Sequence, residues 1–280
     1  MKIVVTGGQG QLALALKRRN KNHQLLAPDR KTLDISLPSE VEKFFQEEQP
    51  DVVINCGAWT NVDACETNPK KALAVNGEAV GTIAKISEIF ETQLVQISTD
   101  YVFDGKKKTP YLETDKPNPL SVYGESKLLG EHLAGDRSLI VRTSWLMSAN
   151  EGNTLQTILG LLSKPGELKF VDDQIGCPTF AEDLADQIFN LIEARINGIF
   201  HVTNADSVSW FEFAKEVARE TGNDPTRIIP ISTSELNPQR PAKRPSNSVL
   251  SNQALSQNGF LPLRSHTFSL IDTLKELGLR

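Results

Sequence analysis

Apolar positions in this chain gather into short unbroken runs separated by longer amphipathic stretches. The first run, Ile3 to Val5 within Lys2–Thr6, is β-branched and shows no alternation, which predicts a strand buried on both faces of a parallel sheet. A helix is expected from about 11 to 19, then a strand at 24–27 running on to Asp29. The pattern continues with a helix over 38–48 opened by Ser36 as its cap, a strand at 51–55, helical sequence over 70–87 and a strand at 93–98. A helix over 122–133 and a strand at 138–142 complete the regular part. Beyond Trp145 the rhythm loosens into a helix at 154–162, a strand at 168–171, a helix at 181–194 and a strand at 198–203. The remainder comprises the segment 211–221, a proline-rich loop at 237–245 and a last helix near 268–277, and reads as a cap on one end of the sheet.

Strand and helix alternating in this way imply a parallel sheet wound on both sides. Its first turn, Thr6-Gly-Gly-Gln-Gly-Gln-Leu-Ala13, carries chemistry. Glycines at 7, 8 and 10 let the backbone bend sharply, and the helix that follows presents free amides to a pyrophosphate, the arrangement of a dinucleotide fingerprint. The fold class is therefore α/β, a doubly wound parallel sheet of Rossmann type with a smaller C-terminal substrate-binding cap. Residues 1–145, completed by 180–204, are the expected dinucleotide-binding domain; 146–179 and 205–280 are mainly cap.

Ligands of such sheets sit outside the carboxyl ends of the strands, where the polar residues of this sequence converge. Asp29 can take the adenosine ribose hydroxyls, whereas the adjoining Arg30 and Lys31 can meet a 2′-phosphate, so NADPH or NADH is expected. Asn55-Cys-Gly-Ala-Trp-Thr60 offers small residues for close approach of the cofactor, and Ser98-Thr99 offers a hydroxyl to a substrate carbonyl. Tyr123 and Lys127, four apart, share a helix face, where the ammonium is expected to hold the phenol pKa down and fit it for proton transfer.

Composition narrows the class further. With 280 residues, 39% of them hydrophobic, the chain can bury a sizeable core. A net charge of −5 gives no footprint for nucleic acid, and Lys106–Lys108 is too short a run to change that. No apolar run approaches the about 20 residues that span a bilayer, and the first residues enter a strand rather than a signal peptide, so a cytoplasmic location is expected. Three scattered cysteines and four scattered histidines support neither a disulfide framework nor a metal site.

Taken together, Thr6-Gly-Gly-Gln-Gly10, Ser98-Thr99 and Tyr123-Gly-Glu-Ser-Lys127 resemble the extended short-chain dehydrogenase/reductase superfamily. Longer segments narrow the resemblance to the dTDP-4-dehydrorhamnose reductase family over nearly the whole chain. They are Ser98-Thr-Asp-Tyr-Val-Phe-Asp-Gly105, Arg142-Thr-Ser-Trp145, Asp173-Gln-Ile-Gly-Cys-Pro-Thr179, Gly198-Ile-Phe-His-Val-Thr-Asn204, Ser209-Trp-Phe-Glu-Phe213 and Arg244-Pro-Ser-Asn-Ser248. The resemblance implies reduction of the 4-keto group of dTDP-4-dehydro-L-rhamnose by NAD(P)H. It assigns Thr99 to polarise the keto group, Tyr123 to protonate the alkoxide, and Lys127 to lower the tyrosine pKa and hold the nicotinamide ribose. It lays Gly10, Gln11 and Leu12 along the pyrophosphate, with Gly7 in the same turn, and puts Asp34 and Ile35 at the adenine. Ala58, Trp59 and Thr60 are assigned to the ribose and nicotinamide, and Val62, Asp100 and Trp145 to the sugar. Arg240, Lys243 and Arg244 are candidates for the substrate diphosphate.

Departures from the family pattern also bear on function. Ala13 replaces the last glycine of the fingerprint, and Met147-Ser-Ala-Asn150 lacks the Tyr-Gly that often follows the Trp. Ala15 stands where some members carry a Glu for a magnesium-bridged dimer, so a magnesium role is doubtful and a monomer or weak homodimer is expected. Three alternatives stay open: another nucleotide-sugar 4-ketoreductase, a 4-epimerase, or a non-catalytic regulatory subunit related to that of methionine adenosyltransferase.

Overall fold

The computed structural model describes residues 1–280. Its centre is a six-stranded sheet built from β1 (Lys2–Thr6), β2 (Gln24–Leu26), β3 (Val52–Asn55), β4 (Gln93–Thr99), β5 (Leu139–Thr143) and β10 (Gly198–His201). The order is β10-β5-β4-β3-β1-β2, and every pair is parallel. Ile3, Val4 and Val5 are all fully buried, as the unbroken apolar run requires. Because β2 and β3 leave β1 on opposite sides, the strand order reverses there. A crevice opens between the carboxyl ends of β1 and β3, where such sheets bind ligands.

One face of the sheet is covered by α1 (Gln11–Arg19) and α8 (Ala181–Glu193), whose Leu12, Leu16, Leu184, Ile188 and Leu191 share a core with Ile3, Val5 and Ile54. The other face is covered by α2 (Pro38–Glu48) and α5 (Ala79–Ile89), which bury Val41, Phe45, Val80 and Ile83 against Val4 and Val53. A separate core holds the C-terminal region together. Leu155 and Ile158 of α7 (Thr154–Leu162), Phe213 and Val217 of α9 (Trp210–Glu220) and Leu270 and Leu274 of α11 (His266–Glu276) meet there with Met147 and Phe180. Short strand pairs knit this region. They are β6 (Leu146–Met147) with β9 (Thr179–Phe180), β7 (Leu168–Val171) with β12 (Ile228–Ile231), and β8 (Ile175–Gly176) with β11 (Val208–Ser209). A short α10 (Gln253–Gln257) lies beside β10. No helix is long and apolar enough to cross a membrane.

Several local expectations need correction. Strand β2 stops at Leu26, and Asp29 lies in the turn beyond it. Ser36 does not cap α2: its hydroxyl and amide both donate to Asp34, and Leu37 is the N-cap residue. The helical sequence expected over 70–87 is divided into α4 (Pro69–Leu73), one π-helical turn at Ala74–Glu78 and α5, and is preceded by a further short helix, α3 (Val62–Thr67). The interruption serves Asn76, whose buried side chain accepts from the Trp59 amide at 2.7 Å and donates to the Trp59 carbonyl at 3.1 Å. A widened turn at a functional position is the usual place for such a side chain to leave the helix.

Candidate active site

The glycine turn after β1 is shaped by close backbone approach. Gly7 has φ +66°, and a Cβ on Gly8 would lie 2.1 Å from the Ala27 carbonyl oxygen. Thr6 and Asn55 lock the crevice: the Thr6 hydroxyl donates to Asn55 Oδ1 at 2.6 Å and accepts from the Gly57 amide at 3.1 Å. Helix α1 then starts at Gly10 with no side-chain cap and no acidic residue in its first turn. The positive end of its dipole is left free for an anion, so the cradle fits a dinucleotide pyrophosphate.

Two clefts run from this turn and meet at Gly10, Cys56 and Ala58. The smaller, about 300 Å³, is lined by Gly7, Arg30, Asp34, Ile35, Trp59 and Lys71. Arg30 is held to Asp34 at 3.0 Å, and the Lys71 ammonium lies 4.3 Å from the centroid of the Trp59 ring. The larger, about 560 Å³, brings together Gln11, Leu12, Thr60, Val62, Thr99, Asp100, Tyr123, Lys127 and Trp145. Asp29 stands apart from both. Its carboxylate accepts from Lys31 and Thr32 within its own turn and borders a shallow depression with Gln9, Arg30, Lys31 and Asp34. Arg240 and Arg244 line neither cleft. Arg244 is bound through both terminal nitrogens to Asp63, at 2.7 Å each, and is largely buried rather than open to a phosphate.

Tyr123 is carried into the larger cleft by the start of α6 (Val122–Ala134). Ser121 caps that helix by accepting from the Gly124 amide at 3.2 Å, and Glu66 of α3 accepts from the Val122 amide at 2.8 Å. Gly124 packs against β4's outlet, where a Cβ would come 2.3 Å from the Tyr101 carbonyl. Asn76 also donates to Ser126 Oγ, which donates to the Tyr123 carbonyl, so the π-helical turn ties the cofactor loop to the catalytic helix. Lys127, one turn along, is buried and donates to the Ile97 carbonyl at 2.6 Å. Burial brings its pKa down to about 8, against the pull of the Glu131 carboxylate.

The expected depression of the Tyr123 pKa by Lys127 is not what the cleft does. Desolvation raises the phenol above its ordinary value, the Thr99 hydroxyl offsetting this in part and the Asp100 carboxylate adding to it. Lys127 instead spends its hydrogen bond on the Ile97 carbonyl. Tyr123 is thus held in its neutral, proton-bearing form. Its ring meets Tyr101 edge-on at 5.5 Å, and Tyr101 joins the lining as a residue that pattern reading alone does not single out.

Of the two hydroxyls that end β4, Ser98 donates to Glu131 and is spoken for, whereas Thr99 faces the cleft and donates to Asp100 Oδ1 at 3.0 Å. The other Asp100 oxygen, Oδ2, and the Thr143 hydroxyl are buried without any partner. Such orphaned polar atoms point to a ligand that completes them. Burial raises Asp100 to about 6, with the nearby Ser248 and Thr99 hydroxyls acting the other way. Ala15 is fully buried in the core shared with α8 and supplies no oxygen to a metal, so magnesium enters no step below.

A dinucleotide crevice leading into a pocket with a proton-bearing tyrosine, a neighbouring threonine and a buried lysine defines a nicotinamide-dependent oxidoreductase of the short-chain dehydrogenase/reductase class. A family model described as RmlD substrate binding domain matches residues 1–279, and the chain belongs to that family, the dTDP-4-dehydrorhamnose reductases. It is 40% identical over 266 residues to a spore coat polysaccharide biosynthesis protein of Bacillus subtilis, spanning 93% of each chain. It is 38% identical over 277 residues to a dTDP-4-dehydrorhamnose reductase of Burkholderia thailandensis, spanning 92% of each. The solved structure of dTDP-4-dehydrorhamnose reductase from Bacillus anthracis in complex with NADP matches with a TM-score of 0.94 at 35% identity, over 98% of this chain and 99% of that one.

Proposed function

We propose that this protein reduces the 4-keto group of dTDP-4-dehydro-L-rhamnose to give dTDP-L-rhamnose, using NADPH or NADH. The observation that carries the reading is the meeting of Thr99, Tyr123 and Lys127 with the orphaned Asp100 oxygen in a cleft continuous with the dinucleotide crevice. The relatives named for this reaction, one solved with NADP, support it.

Gly7, Gly10 and the amides of Gln11 and Leu12 hold the pyrophosphate, Asp34 and Ile35 the adenine, and Ala58, Trp59 and Thr60 the nicotinamide side. When bound, the nicotinamide supplies a hydride to the keto carbon. Thr99 turns its one hydroxyl proton from Asp100 Oδ1 to the keto oxygen and gathers its developing charge. Tyr123, kept protonated by its surroundings, transfers its proton to that oxygen, because an alkoxide is far more basic than a phenolate. The Lys127 ammonium then stabilises the phenolate and restores its proton from solvent. Val62, Asp100 and Trp145 contact the sugar. Residues 1–145 with 180–204 serve the cofactor; 146–179 and 205–280 serve mainly the sugar.

The net charge of −5 supports no nucleic-acid partner, the Ala at position 15 supports a monomer or weak homodimer, and the proposed site of action is the cytoplasm. Incubation of the purified protein with the keto sugar and either reduced cofactor should oxidise one cofactor per sugar, read as loss of nicotinamide absorbance and appearance of dTDP-L-rhamnose. Redox-neutral conversion by protein that co-purifies with stoichiometric NAD would identify an epimerase instead. Absence of any conversion would leave a 4-ketoreductase for another nucleotide sugar or the binding-subunit alternative.

A further inference from the structure

Trp145 sits in the larger cleft with a backbone φ of 45°, a left-handed conformation that a bulky aromatic residue adopts only under constraint from its surroundings. Two contacts supply the constraint. The first residue of α9, Trp210, stacks on it with ring centroids 3.5 Å apart and planes within 6°. Gly176 of β8 lies so close to the same indole that a Cβ there would come 2.5 Å from Cε2 and 2.6 Å from Nε1. These two holders are themselves fixed together. Gly176 pairs with Val208 in the antiparallel β8–β11 ladder, two residues before Trp210, and Ser209 caps α9 by accepting from the Glu212 amide at 3.1 Å. Neither indole is fully buried, and both line the cleft that holds Thr99 and Tyr123.

We propose that Trp210 and Gly176 are positioning residues for the sugar: they clamp the Trp145 indole from its two faces and so fix the ring edge that it presents to a deoxyhexopyranose in the cleft. The proposal rests on the reductase reading above and extends it to residues for which that reading has no role. A sugar ring offers C–H bonds on its faces and hydroxyls at its edges. An indole edge held in one place therefore orients it by contact, and a loose indole costs affinity through the freedom it must give up on binding. The arrangement also explains why position 176 is glycine although its φ is not in the left-handed range: the ring of Trp145 occupies the space of a side chain.

The test combines kinetics with the circular-dichroism couplet that two coupled indoles produce, measured without ligand. Trp210→Ala should abolish the couplet and raise the Michaelis constant for dTDP-4-dehydro-L-rhamnose roughly fivefold to tenfold, with NADPH affinity unchanged. Trp210→Phe, which keeps a ring to stack on, should lose the couplet yet restore a Michaelis constant within about twofold of wild type. Gly176→Ala should alter the couplet and raise the same constant while leaving Trp210 in place, and it decides the matter if Trp210→Ala fails to fold. Unchanged sugar constants in Trp210→Ala or Gly176→Ala, beside a wild type that turns over, would overturn the proposal alone. A wild type that does not reduce the sugar would overturn the reductase reading and the proposal with it.

Discussion

Helix α6 carries two buried polar clusters one turn apart, and they are built on opposite terms. Around Glu131 every group is matched. Its carboxylate accepts from Ser98 and from Arg142 Nε at 2.9 Å and Nη2 at 2.6 Å, and both charged partners are about 2–3% exposed. His201, pushed down to about 3 by burial and by Arg142, stays neutral and faces Arg142 Nη1 at 3.4 Å. Around Lys127 and Tyr123 the groups are left wanting: Asp100 Oδ2 and Thr143 Oγ1 have no partner, and burial lowers Lys127 and raises Tyr123 and Asp100. Burial alone therefore does not mark a functional site. What separates the two clusters is that the matched one holds β4, β5 and α6 together, whereas the unmatched one faces a cleft, unlike the other unpartnered buried atoms, His23 Nδ1, Ser87 Oγ and Gln187 Nε2, which line neither cleft.

The comparison is broken most severely at the matched pair. Glu131→Ala strands a buried guanidinium and should cost about 3–5 kcal/mol of unfolding free energy, measured by denaturant titration. Adding Arg142→Met should recover much of that loss, because the uncompensated charge goes with it. A cost below about 1 kcal/mol would remove the contrast.

Asp100 should behave in the opposite sense. Its folded-state pKa of about 6 lies above its ordinary 3.8, so the folded protein holds the proton more tightly than the unfolded chain does. Its stabilising contribution is complete below about pH 4 and is lost as pH rises through about 6. Asp100→Asn should flatten that decline and stabilise the ligand-free protein at neutral pH by about 1–3 kcal/mol while weakening sugar binding. Loss of stability in this variant would mean that Asp100 belongs to the scaffold.

For Lys127 the effect appears in the rate. The ammonium is the useful form and its pKa is brought down to about 8, so kcat/KM of the free enzyme should fall about tenfold per pH unit above that value. Lys127→Arg, charged at every working pH, should lose the alkaline limb attributable to this group. A limb unmoved by the substitution would assign it elsewhere. The smallest effect is expected at exposed Arg30, paired with Asp34 on the rim of the adenosine cleft. Arg30→Ala should raise the NADPH Michaelis constant no more than about fivefold and leave that for NADH almost unchanged. Equal shifts for both cofactors would show that Arg30 does not meet the 2′-phosphate.

The contrast between the clusters also measures what the sequence makes legible. Unbroken apolar runs such as Ile3–Val5 and Val52–Ile54 are readable because a doubly covered strand has no polar face, and the glycine turn is readable because its backbone admits little else. Thr99, Tyr123 and Lys127 are found from spacing, since one helix and one strand end suffice to converge them. Charge balance is not local, and there the reading goes astray. Proximity of Lys127 suggests a lowered tyrosine pKa, but the competing desolvation depends on packing from α3, β4 and the cap. Arg244 looks available until Asp63, 181 positions earlier, is seen to hold it. Asn76 is hidden for a related reason, because only the tertiary fold shows that its side chain leaves the helix to grip Trp59.

The central claim is that neutral Tyr123 is the proton donor, and single-turnover kinetics test it most directly. Protein preloaded with NADPH is mixed with dTDP-4-dehydro-L-rhamnose, and nicotinamide oxidation is followed for wild type and Tyr123→Phe. The variant keeps the ring and loses only the hydroxyl, so hydride transfer should slow on the order of 100-fold or more, with NADPH affinity and unfolding midpoint unchanged. Oxidation at the wild-type rate in Tyr123→Phe would contradict the account.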